Sequence, residues 1–270
     1  MHANSRTPVS AQTDIHTQLP ALLDRRVGQP FRQPIAVYNQ RAFEEFLAAY
    51  RGFGVAAPLI VDACCGTGES SLWLARQHPE CFVVGVDQSA IRLGRGTRQP
   101  LPANVLLLRA DLVDFWRLLA DAGLRPRQQT IFYPNPWPKI GHLARRWHAH
   151  AVFPTVLALG GVLECRSNWR IYIDEFAFAI KRLTGLVTRG EVWAAGEPVT
   201  AFERKYRDSG HTLYRLVVDL DAAPQRVGAQ ARGALPVSST LSSSFAPSVL
   251  SVSSLSSTSS ASPTLADEAP

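Results

Sequence analysis

The 270-residue sequence predicts an α/β protein: a Rossmann-like, doubly wound, seven-stranded sheet with an antiparallel edge strand. Three observations predict it. Short apolar runs at residues 59–63, 82–86, 105–109, 130–133 and 161–165 read as strands buried on both faces, which is the signature of a parallel sheet. Helical patterns alternate with these runs, as crossover connections between parallel strands require. Two last runs, 186–193 and 213–220, have no clear helix between them and are expected to pair antiparallel at one edge.

The helices follow from apolar spacing. Residues 38–50 put Phe43, Phe46 and Leu47 on one face, and 70–77 carry Leu72, Trp73 and Ala75. Residues 112–122 align Leu112, Phe115, Trp116 and Leu119, and 144–159 are read as one helix. Residues 171–183 repeat Ile173, Phe176, Ala177 and Ile180 at helical spacing. A domain over residues 36–222 accounts for all of these elements. Residues 1–35, polar and broken by Pro8, Pro20, Pro30 and Pro34, read as a flexible extension. Residues 233–270 are mostly Ser, Ala, Pro and Thr, a composition expected to be disordered.

No run of eighteen apolar residues exists, so a membrane span is not expected. The N-terminus lacks an apolar signal core, which makes the cytoplasm the default compartment. Cys64, Cys65, Cys81 and Cys165 lack metal-ligand spacing and read as reduced, buried thiols. A monomer without a metal is expected. The net charge is +6; because residues 233–270 hold Asp267 and Glu268 but no Lys or Arg, residues 1–232 carry +8. A basic body favours polyanionic partners such as RNA.

The first strand runs into Asp62-Ala63-Cys64-Cys65-Gly66-Thr67-Gly68-Glu69-Ser70. Gly66 and Gly68 permit a sharp turn and a close approach to a ligand, and the following helix start offers amide donors to a carboxylate. That suits the methionine end of S-adenosylmethionine, with Asp62 accepting from its amino group. A nicotinamide dinucleotide fits less well, because a third glycine is missing at Ser71 and Glu69 repels a pyrophosphate. Asp87 after the second strand is placed for ribose hydroxyls, and Asp111 after the third for the adenine amino group. Three carboxylates at successive strand ends point to nucleotide binding.

The fourth strand ends in Tyr133-Pro134-Asn135-Pro136-Trp137-Pro138-Lys139, a loop stiffened by its prolines. His142, Arg145, Arg146, Trp147, His148 and His150 follow, a set of cations and rings that suits phosphates and stacked bases. With the preceding loop, Arg145-Arg146 and Gly160-Gly161-Val162, this region resembles the central signature of the bacterial tRNA (guanine-N7) methyltransferase family. Thr200-Ala201-Phe202-Glu203, then Gly210-His211, resembles its C-terminal motif, and the likeness spans roughly residues 35–220. The resemblance implies the class I methyltransferase fold and an S-adenosylmethionine-dependent tRNA methyltransferase acting on guanine N7. It implies that Asn135 serves both cofactor contact and catalysis, and that Lys139, Asn168, Thr200, Ala201, Phe202 and Glu203 contact substrate. Asn135 and Asn168 stand where the family has Asp. These departures leave open a methyltransferase for another RNA or a small molecule, or a catalytically weak RNA-binding relative.

Overall fold

The computed structural model describes residues 5–29, 31–96, 100–194 and 196–223. The Ser-rich segment 233–270 lies outside the described residues. The parallel strands are β1 (Leu59–Ala63), β2 (Phe82–Asp87), β3 (Val105–Arg109), β4 (Gln128–Phe132) and β5 (Val162–Ser167). With β6 (Glu191–Val192) and β7 (Tyr214–Asp219) they form one sheet of order β3-β2-β1-β4-β5-β7-β6. β7 is antiparallel to both β5 and β6. The expected fold class holds, with the antiparallel strand one place in from the edge. The last predicted strand but one shrinks to two exposed residues.

The helices are α1 (Leu19–Gly28), α2 (Val37–Phe53), α3 (Glu69–Gln77), α4 (Ala90–Gly96), α5 (Leu112–Asp121), α6 (Phe153–Leu159), α7 (Arg170–Thr184) and α8 (Ala201–Asp208). Alternate residues of the central strands face opposite layers, as strand geometry requires. Val61, Val84 and Val86 join Phe46, Phe115, Trp116, Phe153 and Phe176 in the larger core, while Ile60 and Val83 pack under Leu74 and Ala75 of α3.

Three expectations change. The predicted helix 144–159 is divided into 3-10 turns at Ile140–Arg145 and Trp147–Ala149, followed by α6. Pro154 accounts for the second break, at His150: its ring opposes a helical carbonyl four residues earlier and it has no N–H to donate. The first break falls at Arg146, whose backbone is extended. Residues 1–35 are not simply a flexible extension. Leu19 and Leu23, four apart on α1, are wholly buried in the main core, and Gln12 and His16 are buried ahead of them. α8 fills the stretch in which no helix was expected. Its one buried residue is Glu203, so it has no apolar stripe to reveal it.

Candidate functional site

Strands β1–β5 share one direction, so the loops after them meet at a single sheet edge, the place where doubly wound sheets bind ligands. The loop after β1 turns through three left-handed residues, Cys64 (φ 61°), Gly66 (φ 61°) and Gly68 (φ 81°). Gly68 is favoured by its φ, and a Cβ there would also stand 2.5 Å from a Leu107 methyl, which would have to shift. Gly66 faces open space on its Cβ side, directly before the amides that open α3. Burial pushes the Cys64 thiol up to about 12, so it stays protonated.

Asp62 does not face this space. It is fully buried, and its carboxylate accepts from Ser70 Oγ and Ser71 Oγ at 2.6 Å each and from Thr130 Oγ1 at 2.7 Å. Burial raises its pKa against the pull of these hydroxyls. It therefore ties β1 to α3 and β4, and the expected contact with a cofactor amino group is corrected to this structural role. The close approach is possible because Gly85 of β2 lacks a Cβ, which would stand 2.2 Å from Ser71 Oγ.

Asp87 and Asp111 do reach the edge. Asp87 Oδ2 accepts from the Gly66 amide at 3.0 Å, and Oδ1 accepts from the Ser89 amide and from Arg92 Nη2, each at 2.8 Å. Asp111 caps α5 through the Val113 amide at 2.8 Å, and its second oxygen accepts from Gln88 Nε2 at 2.8 Å. Thr200, Ala201 and Phe202 stand across a small pocket from Gly66, Thr67 and Arg92. The structure thus brings the C-terminal motif to the glycine loop, and Arg204 of α8 pairs with Glu69 of α3 at 3.0 Å.

In the proline-rich loop, Tyr133 (φ 50°) and Trp137 (φ 46°) are both left-handed, a costly conformation for aromatic residues. Asn135 is exposed, and its Oδ1 accepts from the Trp137 amide at 3.2 Å. Lys139 is exposed as well, and His142 is half-buried. Desolvation and then Arg145 and Lys139 lower the His142 pKa, keeping that ring neutral. The neighbouring arginines differ. Arg145 lies over the Trp137 ring at 4.8 Å, on the outside. Arg146 is wholly buried and donates to Glu175 Oε2 at 2.6 Å, Gln12 Oε1 at 2.9 Å and the Trp137 carbonyl at 3.2 Å. His148 is buried against the same Glu175 at 2.9 Å. Arg146 and His148 therefore leave the expected phosphate-binding set.

Two expected substrate contacts are also spent internally. Asn168 is buried, with Nδ2 at 3.0 Å from His211 Nδ1, and His211 Nε2 lies 3.0 Å from the Ser5 carbonyl. One neutral tautomer, with hydrogen on Nε2, satisfies both bonds. Glu203 is wholly buried and accepts from Tyr133 Oη at 2.9 Å, Arg166 Nη1 at 3.0 Å, Trp193 Nε1 at 2.9 Å and the Val199 amide at 2.8 Å. Thr200 Oγ1 accepts from the Glu203 amide at 2.9 Å, an N-cap that starts α8. Thr200 and Glu203 thus fix α8 in place, and Phe202 is left presented to the pocket.

The sequence reading missed Arg92, Arg166 and Glu175. Arg166 lies over Phe132 at 4.2 Å and Trp193 at 4.5 Å beneath the site. The one visible signal was a charge inside an apolar strand, which in a buried strand demands partners. At the opposite sheet edge His78, Glu80 and Cys81 lie close enough together to share a metal ion. Arg127 already donates to Glu80 at 2.7 Å and to Cys81 Sγ at 3.4 Å, so that cluster holds a cation of its own.

A family model described as "Putative methyltransferase" matches residues 56–216. The tRNA (guanine-N(7)-)-methyltransferase of Leifsonia xyli subsp. xyli is 31% identical over 201 residues, 66% of this chain and 88% of that protein. The chain belongs to the tRNA (guanine-N7) methyltransferase family. The protein of the same description from Acinetobacter baylyi is 28% identical, covering 58% of this chain and 67% of its own length. A solved 16S rRNA methyltransferase, KamB, covers 69% of this chain and 94% of its own at 15% identity and a TM-score of 0.45, too distant a likeness to add to the sheet order. Family membership fits the edge geometry: the glycine loop, Asp87 and the proline-rich loop are all carried on strands of the matched region. Among the described residues no helix is long and apolar enough to cross a membrane.

Proposed function

We propose that this protein transfers the methyl group of S-adenosylmethionine to N7 of a guanine in tRNA. The observation that carries the reading is the meeting, at one sheet edge, of the Gly66 turn, Asp87 and the segment from Thr200 to Phe202. The open space beside Gly66 and the amides of α3 suit the cofactor's carboxylate. Asp87 is the acceptor for ribose hydroxyls, and Gln88 with Asp111 brackets the adenine.

Bound there, the cofactor supplies an electrophilic methyl on a cationic sulfur. Guanine N7 has a free lone pair, so no side chain needs to remove a proton. The protein's work is alignment of the base and stabilisation of the positive charge that grows on it. Asn135, exposed in the proline loop with its Oδ1 accepting from the Trp137 amide, offers an amide dipole to that task in place of a carboxylate. Lys139 and Arg145 meet RNA phosphates, and the exposed Phe202 offers a ring face to a base. The working domain extends over residues 19–222, because α1 belongs to the core. A tRNA substrate supports a cytoplasmic site of action.

The test is incubation with labelled S-adenosylmethionine and total tRNA, followed by nucleoside analysis. Label in 7-methylguanosine is the expected result; label in another nucleoside, or none, sinks the reading. The amide at Asn135 favours one second reading, a relative that binds cofactor and RNA with little turnover. Tight cofactor binding without label transfer would select it.

A further inference from the structure

Arg146 is a charged side chain with no exposed surface, and nothing in the proposed reaction uses it. Its guanidinium has two ends. Nη1 is anchored in the interior by Glu175 Oε2 at 2.6 Å and Gln12 Oε1 at 2.9 Å. Nε and Nη2 both donate to the Trp137 carbonyl at 3.2 Å. The cation also lies 4.9 Å over the Trp169 ring. Glu175 is itself fixed by three further groups: the His16 amide, Gln12 Nε2 and the His148 ring at 2.6–2.9 Å.

Trp137 is the residue of the proline loop that most needs holding. It is left-handed and precedes Pro138, and its amide is the donor that orients Asn135 Oδ1. Arg145 grips its ring from outside while Arg146 grips its carbonyl from inside. A left-handed aromatic residue persists only where its surroundings over-determine it, and a forked guanidinium can bond two acceptors at once where an ammonium serves them poorly.

We infer that Arg146, clamped by Glu175 and Gln12, is a positioning residue that holds Trp137 in its left-handed turn and thereby sets the pose of Asn135. The inference rests on the proposed function for its catalytic consequence, but not for the hold on the loop.

Arg146→Lys tests it, because charge is kept and the fork is lost. Lys139 is exposed and followed by Ile140, so tryptic cleavage after Lys139 reports loop mobility without any activity. We expect R146K to raise that cleavage rate at least fivefold over cleavage elsewhere in the core. We also expect it to lower the single-turnover methyl-transfer rate at least tenfold, with cofactor Kd within twofold. Should R146K fail to fold, Gln12→Ala leaves the Arg146–Glu175 pair intact and is expected to produce smaller changes of the same kind. Unchanged cleavage after Lys139 in the folded variant overturns the inference. Faster cleavage with an unchanged transfer rate also overturns it, because the loop's pose would then not matter. If the wild-type protein methylates no tRNA, the proposed function fails, and the cleavage result still decides whether Arg146 holds the loop.

Discussion

Arg92 Nη2 donates to Asp87 Oδ1 at 2.8 Å, on the carboxylate whose other oxygen receives the Gly66 amide. The carboxylate proposed for a ribose therefore already has a cation on it, and under that proposal cofactor binding is an exchange of partners. Asp87→Ala is expected to weaken S-adenosylmethionine binding by about 1–3 kcal/mol, the cost of poorly paired hydroxyls. Arg92→Ala should act the other way. Arg92 is nearly half exposed, and such a pair is worth at most about 1 kcal/mol, so binding tightens by up to about fivefold. Calorimetry on both variants checks this; weaker binding by Arg92→Ala would make Arg92 part of the cofactor's own shell.

Under the proposed function, Asn135→Asp puts a charge beside the base. At an effective dielectric near 20, a unit charge about 4 Å away is worth up to roughly 4 kcal/mol. Asn135 is exposed, so solvent screening brings the gain closer to about 1 kcal/mol, a several-fold faster single-turnover step. A slower step, with the cofactor bound as before, would show that the amide is the better partner here.

RNA binding should depend on Lys139 and Arg145 but not directly on Arg146, which has no surface to offer a phosphate. Alanine at Lys139 and Arg145 together should reduce the slope of log K against log salt by about 1.4–1.8, the release of roughly two counterions. An unaltered slope would move the RNA surface elsewhere, with the groove lined by Tyr38, Arg41 and Arg109 the first place to look.

Acid should unfold the protein partly through Glu175. Burial alone would raise this carboxyl, but His148, Arg146 and the His16 amide outweigh it and hold its pKa near 2, below its usual 4.5. A depressed folded pKa contributes stability that is fully present above about pH 4.5 and is lost as pH falls towards 2, on the order of 3 kcal/mol. Asp62, raised by burial, has the opposite sign and adds no acid sensitivity. Glu175→Gln should be less stable at pH 7 and show a flatter melting-temperature profile between pH 4.5 and 2. An equally steep acid limb would assign the loss to other carboxylates.

Cys64 holds a left-handed turn that glycine would hold without strain. Comparing Cys64→Ala with Cys64→Gly separates backbone from packing, because both lose the thiol and only one keeps the Cβ. The glycine variant should be the more stable by about 1 kcal/mol in chemical denaturation. A more stable alanine variant would mean that the Cβ packs better than it strains.

How much of this was legible depended on how many elements a feature needs. The five parallel strands announced themselves because each is apolar on both faces. Asp87 and Asp111 could be placed because both lie at strand ends, Asp87 as the last residue of β2 and Asp111 two residues beyond β3. Asp62 looked equivalent, yet it sits one residue inside the strand end and its side chain takes the α3 face, where Ser70, Ser71 and Thr130 close over it. Arg145 and Arg146 are adjacent and chemically alike, and only the fold separates them: Gln12, 134 residues away, is one of the groups that makes the second an interior residue. α8 was invisible because its anchor is Glu203, held by Tyr133, Arg166, Trp193 and the Val199 amide, not an apolar stripe.

The position of β7 bears on how this chain is made. β7 (Tyr214–Asp219) inserts between β5 and β6 rather than adding at the rim, and His211 just before it completes the bond to the Ser5 carbonyl across 206 residues. On the ribosome, β5 must therefore wait with one edge open, its inner Glu164 and Arg166 lacking Arg215 and Glu203, until almost the whole described chain has emerged. Contacts of such long sequence separation form slowly, and an unpaired edge is a template for the wrong partner. The pocket side formed by Thr200, Ala201 and Phe202, facing the glycine loop, is thus among the last parts that translation can complete, so a truncated or stalled chain would present a nearly finished sheet with an incomplete site.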